Sequence, residues 1–314
     1  MNIDLSPEAL EFGDLVKKAL ESAGGDELLQ AAEREPAGRE QLIAPLLGGL
    51  GAWDLDPRAS SDELEAAAAM CRAVGYWAVA YPVAERLCRP SSLECDGLVV
   101  VDEVAPAAAI AGSDLRWVAV TLEGRRSRVT ACPLTESPRT SAFVARLALE
   151  PLDAAGADDV ALALLLPCWT LLGTLDRALD LVRAYVQARR QFGQPLASFQ
   201  GVQFQLTDAE VERAGAEELA KYALWSVESG QASALPDALA ARVATLDAAD
   251  IVIRVAHQLH GAIGFCDETT LSWISRYSGP LRRLPFGSSE TLHQLAQRAR
   301  PVGLSGIFGG GGGS

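Results

Sequence analysis

The chain has 314 residues, 49% of them apolar, with 41 acidic against 27 basic side chains and a net charge of −14. That apolar share supports a sizeable core and excludes a disordered chain, and the acidic surface excludes nucleic-acid binding as the main task because it repels phosphate backbones. The length fits one large domain or two to three small ones.

Helical patterning opens the chain. Ser6-Pro7-Glu8 reads as a hydroxyl cap, a first-turn proline and an acid at the positive end of the helix dipole. Helices are expected over roughly 7–22, 26–34 and 38–48. Another starts at Ser61-Asp62-Glu63 and runs to about residue 88, kinked or split at Pro82. "GGLGAW" (48–53) is a glycine turn and not a dinucleotide loop, since no strand precedes it. From about 95 the texture changes: "DGLVVVDEV", "RWVAVTLEG", "RSRVTACPL" and "SAFVARLAL" are short, β-branched and separated by turn residues, and read as a few strands. After 158 the chain is helical again. Long helices are expected over 160–191 (interrupted at Pro167), 198–229 and 236–260. Shorter ones follow over 268–277 and 288–299, with Pro301 beyond the last. "LRRLPFG" (281–287) reads as a basic turn.

The fold class read from this order is mainly α with a small β middle region (α+β), closing in an antiparallel four-helix-type bundle. The divisions are an N-terminal helical domain (1–94), a reduced β-strand middle domain (95–157), a C-terminal helix bundle (158–302) and a flexible tail (303–314) whose "GGGGGS" reads as a linker scar. The longest apolar run, 160–173, contains Pro167 and is too short to span a bilayer. The start has no basic region followed by an apolar run, so no signal peptide and a cytoplasmic location are expected. The six cysteines, none in a C-x-x-C pair, predict reduced, buried thiols and no metal site. Trp169, Trp225 and Trp273 read as core or interface residues.

Two stretches draw attention. In "YVQARRQFGQPLASFQGVQ" (185–203), Tyr185, Arg189 and Phe192 share one helical face, Gly193 ends the helix and Pro195 prevents its return. Arg189 and Arg190 either face the negative end of the helix dipole or reach a ligand. In "QLHGAIGF" (258–265), Gln258, His260, Gly261 and Gly264 close another helix. They read either as a glycine stop with a satisfied histidine or as a place where a ligand approaches bare backbone.

Together these stretches resemble the acyl-CoA dehydrogenase family. Tyr185, Arg189, Gln191, Phe192, Gly193 and Pro195 match a Y-x-x-x-R-x-Q-F-G-x-P pattern. Gln258, Gly261, Ala262 and Gly264 match Gln-x-x-Gly-Gly-x-Gly with one glycine replaced. The resemblance implies FAD as cofactor, shared with a partner subunit. Arg189, Gln191, Phe192 and Gln200 would reach across the interface to the pyrophosphate and adenosine end of a neighbour's FAD, and Gln258, Gly261 and Ala262 would be donated with them. A guanidinium pairs with phosphate oxygens, and bare glycine backbone lets a dinucleotide lie close.

The resemblance also marks gaps. The cis half of a flavin site has only one echo, Gly112-Ser113-Asp114 in "AIAGSDLRWVAV", without the glutamate and proline that precede it in the family. The glutamate that takes the substrate α-proton is missing from both usual places, which fall on Phe286 and near Ala163. Glu290, Asp267 and Glu268 read as first-turn helix acids, with Glu290 the weak alternative base. The implied function is the non-catalytic subunit of a heteromeric acyl-CoA dehydrogenase. It would assemble with a catalytic subunit, in an α2β2 arrangement, on a bulky acyl-CoA such as a steroid side chain. An electron-transfer flavoprotein is the acceptor such an enzyme allows. The alternatives are a self-sufficient homo-oligomer with a relocated base, taken from Glu268, Glu290 or an acid of 150–159, and a cofactor-free helical scaffold.

Overall fold

The computed structural model describes residues 3–134, 141 and 143–302, so the expected 303–314 tail lies outside the described residues. The first helices are α1 (Pro7–Ser22), α2 (Asp26–Arg34), α3 (Arg39–Gly49), α4 (Ser61–Tyr76) and the short α5 (Val83–Leu87). Ser6 caps α1 by accepting from the Ala9 amide, and Ser60, one residue ahead of the expected start, caps α4 by accepting from Glu63. The helix expected to reach Pro82 stops six residues earlier. Trp77 ends it, Ala78 takes a positive φ of 46°, and the proline begins a separate turn of helix.

The strands are β1 (Gly97–Val100), β2 (Ala107–Ala108), β3 (Trp117–Val120), β4 (Arg125–Ala131), β5 (Ala145–Arg146) and β6 (Ala148–Ala155). Four of them form a sheet in the order β1-β3-β4-β6, with β1 and β3 parallel and the other pairs antiparallel. β2 and β5 pair separately, and β2 escaped the sequence reading because its two alanines carry no strand signal. Gly112 lies in a turn with Ala111, and Ser113 and Asp114 follow it as irregular backbone. Gly112 has φ +79°, and a Cβ there would lie 2.6 Å from the Pro36 carbonyl oxygen. Close backbone packing therefore accounts for this glycine.

The bundle comprises α6 (Ala157–Ala188), α7 (Gln200–Glu228), α8 (Ala234–His260), α9 (Thr270–Arg283) and α10 (Ser288–Val302). A two-residue hairpin, β7 (Arg190–Gln191) with β8 (Gln194–Pro195), joins α6 to α7. Pro167 does not interrupt α6, which runs unbroken for 32 residues. Burial of the helix outweighs the one backbone hydrogen bond a proline removes. α9 extends through Pro280 to Arg283, so the arginines of "LRRLPFG" are its last turn and not a turn between elements. α10 likewise continues through Pro301.

α6 is the axle of the molecule. It is the one described helix long and apolar enough to cross a membrane, but 83% of its apolar window is buried in this protein, so it is a core helix. Its N-terminus is tied to the sheet by Asp159, which accepts from Arg126 Nε on β4 at 3.0 Å and from Arg58 at 3.0 Å. Against α4 it packs through glycines. A Cβ on Gly173 would lie 1.9 Å from the Arg72 carbonyl oxygen, and one on Gly75 would lie 1.9 Å from that of Thr170. Beside this crossing Arg72 grips Asp176 with two nitrogens and also reaches Glu217 on α7. Cys71, Cys88 and Cys168 are buried thiols as expected, whereas Cys266 is exposed.

Candidate functional site

The two sequence stretches meet at one end of the bundle. The Tyr185 ring on α6 stacks on the His260 ring on α8, with centroids 4.4 Å apart and planes 21° from parallel. His260 is held by the Ala256 carbonyl at 2.8 Å through Nδ1. Burial lowers its pKa, so the ring stays neutral and stacks without a desolvated charge. The C-termini of α6 and α8 therefore end side by side.

At this end Arg189 is fixed at its root and free at its tip. Its amide donates to Tyr185 O at 2.8 Å, and its carbonyl accepts from the Leu196 amide at 2.8 Å. Its side chain is exposed and makes no hydrogen bond or ion pair among the described residues, while neighbouring Arg190 turns back onto the Gly193 carbonyl. Phe192 sits at the hairpin tip with φ +51°, a region bulky residues rarely adopt, and is 91% exposed. Its ring meets the edge of Phe199 at 6.2 Å and nothing deeper. Since α6 ends at Ala188, Phe192 does not share its helical face with Tyr185 as expected, and it points outward from the hairpin. Gln191 and Gln200 are exposed beside it.

On the α8 side Gln258, Gly261 and Ala262 are also exposed. Gly261 has φ +66° and ψ −149° with open space where a Cβ would project, so its backbone is bare and approachable. Gly264 has a different reason: a Cβ there would be 2.9 Å from His260 Cβ. The turn closes on His257, whose ring stacks on a 68% exposed Phe265. The structure thus brings Arg189, Gln191, Phe192 and Gln200 to the same end as Gln258, Gly261 and Ala262.

The base positions are elsewhere. Ala163 lies in the first half of α6 and lines a cavity of about 120 Å³ between α4, α5, α6, α9 and the sheet. Phe286 is buried, and its carbonyl accepts from Arg242 Nη2 at 2.8 Å. Neither carries an acid. The acids weighed from the sequence do not line this cavity: Glu290 is exposed and accepts from Gln294, Asp267 pairs with Arg276, Glu268 is exposed, and Asp159 is spent on Arg126 and Arg58. The acid that does line it is Glu85 on α5. The sequence reading missed it because an acid after Pro82 reads as a first-turn helix residue. The signal was there in the two adjacent charges, Glu85 and Arg86, inside the otherwise apolar run "YWAVAYPVAERLC". Burial raises the Glu85 pKa, opposed by the charge of Arg39.

Residues 165–300 match the family described as acyl-CoA dehydrogenase, C-terminal domain. The 3-sulfinopropanoyl-CoA desulfinase of Paraburkholderia xenovorans is 35% identical over 108 residues, 33% of this chain and 26% of the relative. The chain spans about a quarter to a third of the length of the curated relatives it matches. Solved structures match over nearly the whole chain. The ChsE4-ChsE5 complex from Mycobacterium tuberculosis aligns with a TM-score of 0.73 at 18% identity, covering 96% of this chain and 99% of that one. The Tcur3481-Tcur3483 steroid ACAD aligns with a TM-score of 0.73 at 19% identity over 94% and 98%.

Proposed function

We propose that this chain, whose residues 165–300 belong to the family of acyl-CoA dehydrogenase C-terminal domains, is the non-catalytic subunit of a heteromeric, FAD-dependent acyl-CoA dehydrogenase. The observation that carries the proposal is the separation of its two half-sites. Ala163 and Arg189 are 26 residues apart around one helix (189 − 163). That is about 39 Å of rise at 1.5 Å per residue, farther than one flavin dinucleotide reaches. On this reading a dinucleotide held by Arg189 has its flavin ring in another chain.

The residues at the bundle end fit such a group. Arg189 offers an untied guanidinium for a pyrophosphate. Gln191, Gln200 and Gln258 offer amides, Phe192 offers an aromatic face, and Gly261 with Ala262 offers backbone that can be approached closely. FAD, when bound, supplies the acceptor for the hydride that leaves the acyl β-carbon. This chain's part is to bind and orient its adenosine end, while the catalytic subunit supplies the glutamate that takes the α-proton. Phe286 and Ala163 leave this chain without that base.

The division into an N-terminal helical part (1–94), a reduced sheet part (95–157) and a bundle (158–302) belongs to the same reading. So do an α2β2 assembly in the cytoplasm, a bulky acyl-CoA substrate such as a steroid side chain, and an electron-transfer flavoprotein as acceptor. The paired ChsE4-ChsE5 structure and the steroid ACAD support it through the shared fold.

A second reading, a self-sufficient homo-oligomer, is favoured by one observation: Glu85 places a carboxyl in the cavity wall. A visible spectrum of the purified chain, alone and co-purified with a candidate catalytic subunit, separates the two. The expected result is a colourless chain that becomes yellow in the complex. Flavin retained by the chain alone would reject the need for a second kind of subunit and favour the homo-oligomer.

A further inference from the structure

The cavity beside Ala163 has a charge pattern that the proposed subunit role does not use. Its wall is mostly aliphatic, with Val79, Val99, Leu164 and Leu281 among its residues, yet two buried guanidiniums, Arg39 and Arg242, line it as well. Neither faces a carboxylate at ion-pair distance among the described residues. Arg39 donates Nη1 to Ala80 O at 3.2 Å and Nη2 to Ala109 O at 3.4 Å, and lies 4.2 Å over the Phe143 ring. Ala80, Ala109 and Phe143 line the same cavity as Arg39. Arg242 donates Nη2 to the carbonyls of Leu281, Leu284 and Phe286. The Nε of each arginine is buried without a partner.

Carbonyl dipoles solvate a guanidinium but do not neutralise it, and an uncompensated buried charge is costly. The one carboxyl in the wall among the described residues, Glu85, is met by its own backbone amide and by the charge of Arg39. Two cations against one acid leave the described part of the wall net positive. Burial pulls the Arg39 pKa down to about 10, so it still carries its charge at neutral pH.

We propose that this cavity is a ligand site of the chain itself and takes a small, mostly apolar carboxylate, its anionic end on Arg39 and its body against the aliphatic wall. The cavity of about 120 Å³ is several times the roughly 10–15 Å³ that a single water needs, so it has room for a small organic acid. The carboxylate is either that of a free acid or the far end of an acyl thioester. The site stands independently of where the flavin is held.

The test is calorimetric titration of the full chain at pH 7 with hexanoate against hexan-1-ol, and with adipoyl-CoA against hexanoyl-CoA. The expected result is a preference of about tenfold or more for the carboxylate in at least one pair, the size of one charge-assisted hydrogen bond. Preference in the first pair identifies a free acid, and preference in the second pair alone identifies a carboxylate-ended acyl chain. Arg39→Gln should abolish the preference while leaving binding of the uncharged probe. Should that variant not fold, Glu85→Gln is the second arm. It removes a competing acid and should leave carboxylate binding equal or tighter. Equal affinity within both pairs, or loss of carboxylate binding in Glu85→Gln, would overturn the proposal.

Discussion

Arg189 shows how a backbone can aim a side chain without holding it. Two main-chain hydrogen bonds fix its Cα where α6 passes into the hairpin, yet the guanidinium keeps its donors unspent. A free arginine on an acidic protein, beside an outward aromatic and a bare glycine, costs side-chain entropy only once a ligand arrives. Arg189→Ala in the assembled complex should weaken flavin retention by about 10- to 100-fold, the worth of a hydrogen bond to a charged group at about 1.5–3 kcal/mol. Flavin content per complex after dialysis measures it, and unchanged content rejects the role. Glu290 is the counter-case. It is exposed, one turn into α10, with its carboxylate on Gln294 Nε2 at 2.7 Å. Glu290→Gln should leave the turnover of the complex within about twofold, as expected of a surface change away from the reacting atoms. A collapse of turnover with the fold preserved would revive Glu290 as a relocated base.

At the scale of elements, backbone approach is what fixes α4 against α6. Gly75 and Gly173 each sit where a Cβ would overlap a carbonyl of the facing helix at 1.9 Å. Gly173→Ala must push the helices apart along a buried seam, and overpacking of that kind costs about 1–3 kcal/mol or more. Urea unfolding of the variant checks this, and a midpoint equal to wild type would mean the crossing has slack. The same seam explains what could be read from the sequence and what could not. Helix starts at Ser6 and Ser60 are local chemistry, a hydroxyl cap, and stand within a residue of where the sequence places them, whereas the bend after Arg189 is placed only roughly: α6 ends at Ala188 rather than 191, and α7 starts at Gln200 rather than 198. Pro167 and Pro82 obey tertiary packing. The first is carried inside a buried helix, and the second follows a break already made at Trp77. The bundle-end site was legible because its residues cluster in two short stretches. The cavity was not, because Arg39, Glu85, Ala163 and Tyr277 come from four helices and share no spacing.

For the molecule as a whole, a net charge of −14 makes the placement of its arginines decisive. Arg72, Asp176, Arg213 and Glu217 form a half-buried network that ties α4, α6 and α7 together, with Arg72 and Arg213 both on the Glu217 carboxylate. Burial alone would raise the Glu217 pKa, but the hydrogen bonds and charges of Arg72 and Arg213 overcome it and hold the group at about 2, against an ordinary 4.5. Its folded pKa lies below its unfolded one. The stabilisation is therefore fully present above about pH 4.5 and is lost as pH falls toward 2. At pH 3 the folded group is still ionised while the unfolded one has taken its proton. Relative to pH 6 this costs about 2 kcal/mol at 1.36 kcal/mol per pKa unit. Urea unfolding at pH 6 and pH 3, for the wild type and for Glu217→Gln, isolates the effect. Glu217→Gln starts less stable at pH 6, because Arg72 and Arg213 lose a charged acceptor. Its further loss on acidification should then be about 2 kcal/mol smaller than that of the wild type. Parallel losses in the two proteins would mean that the network does not hold Glu217 ionised, and that the acid sensitivity of this chain comes from its other carboxylates.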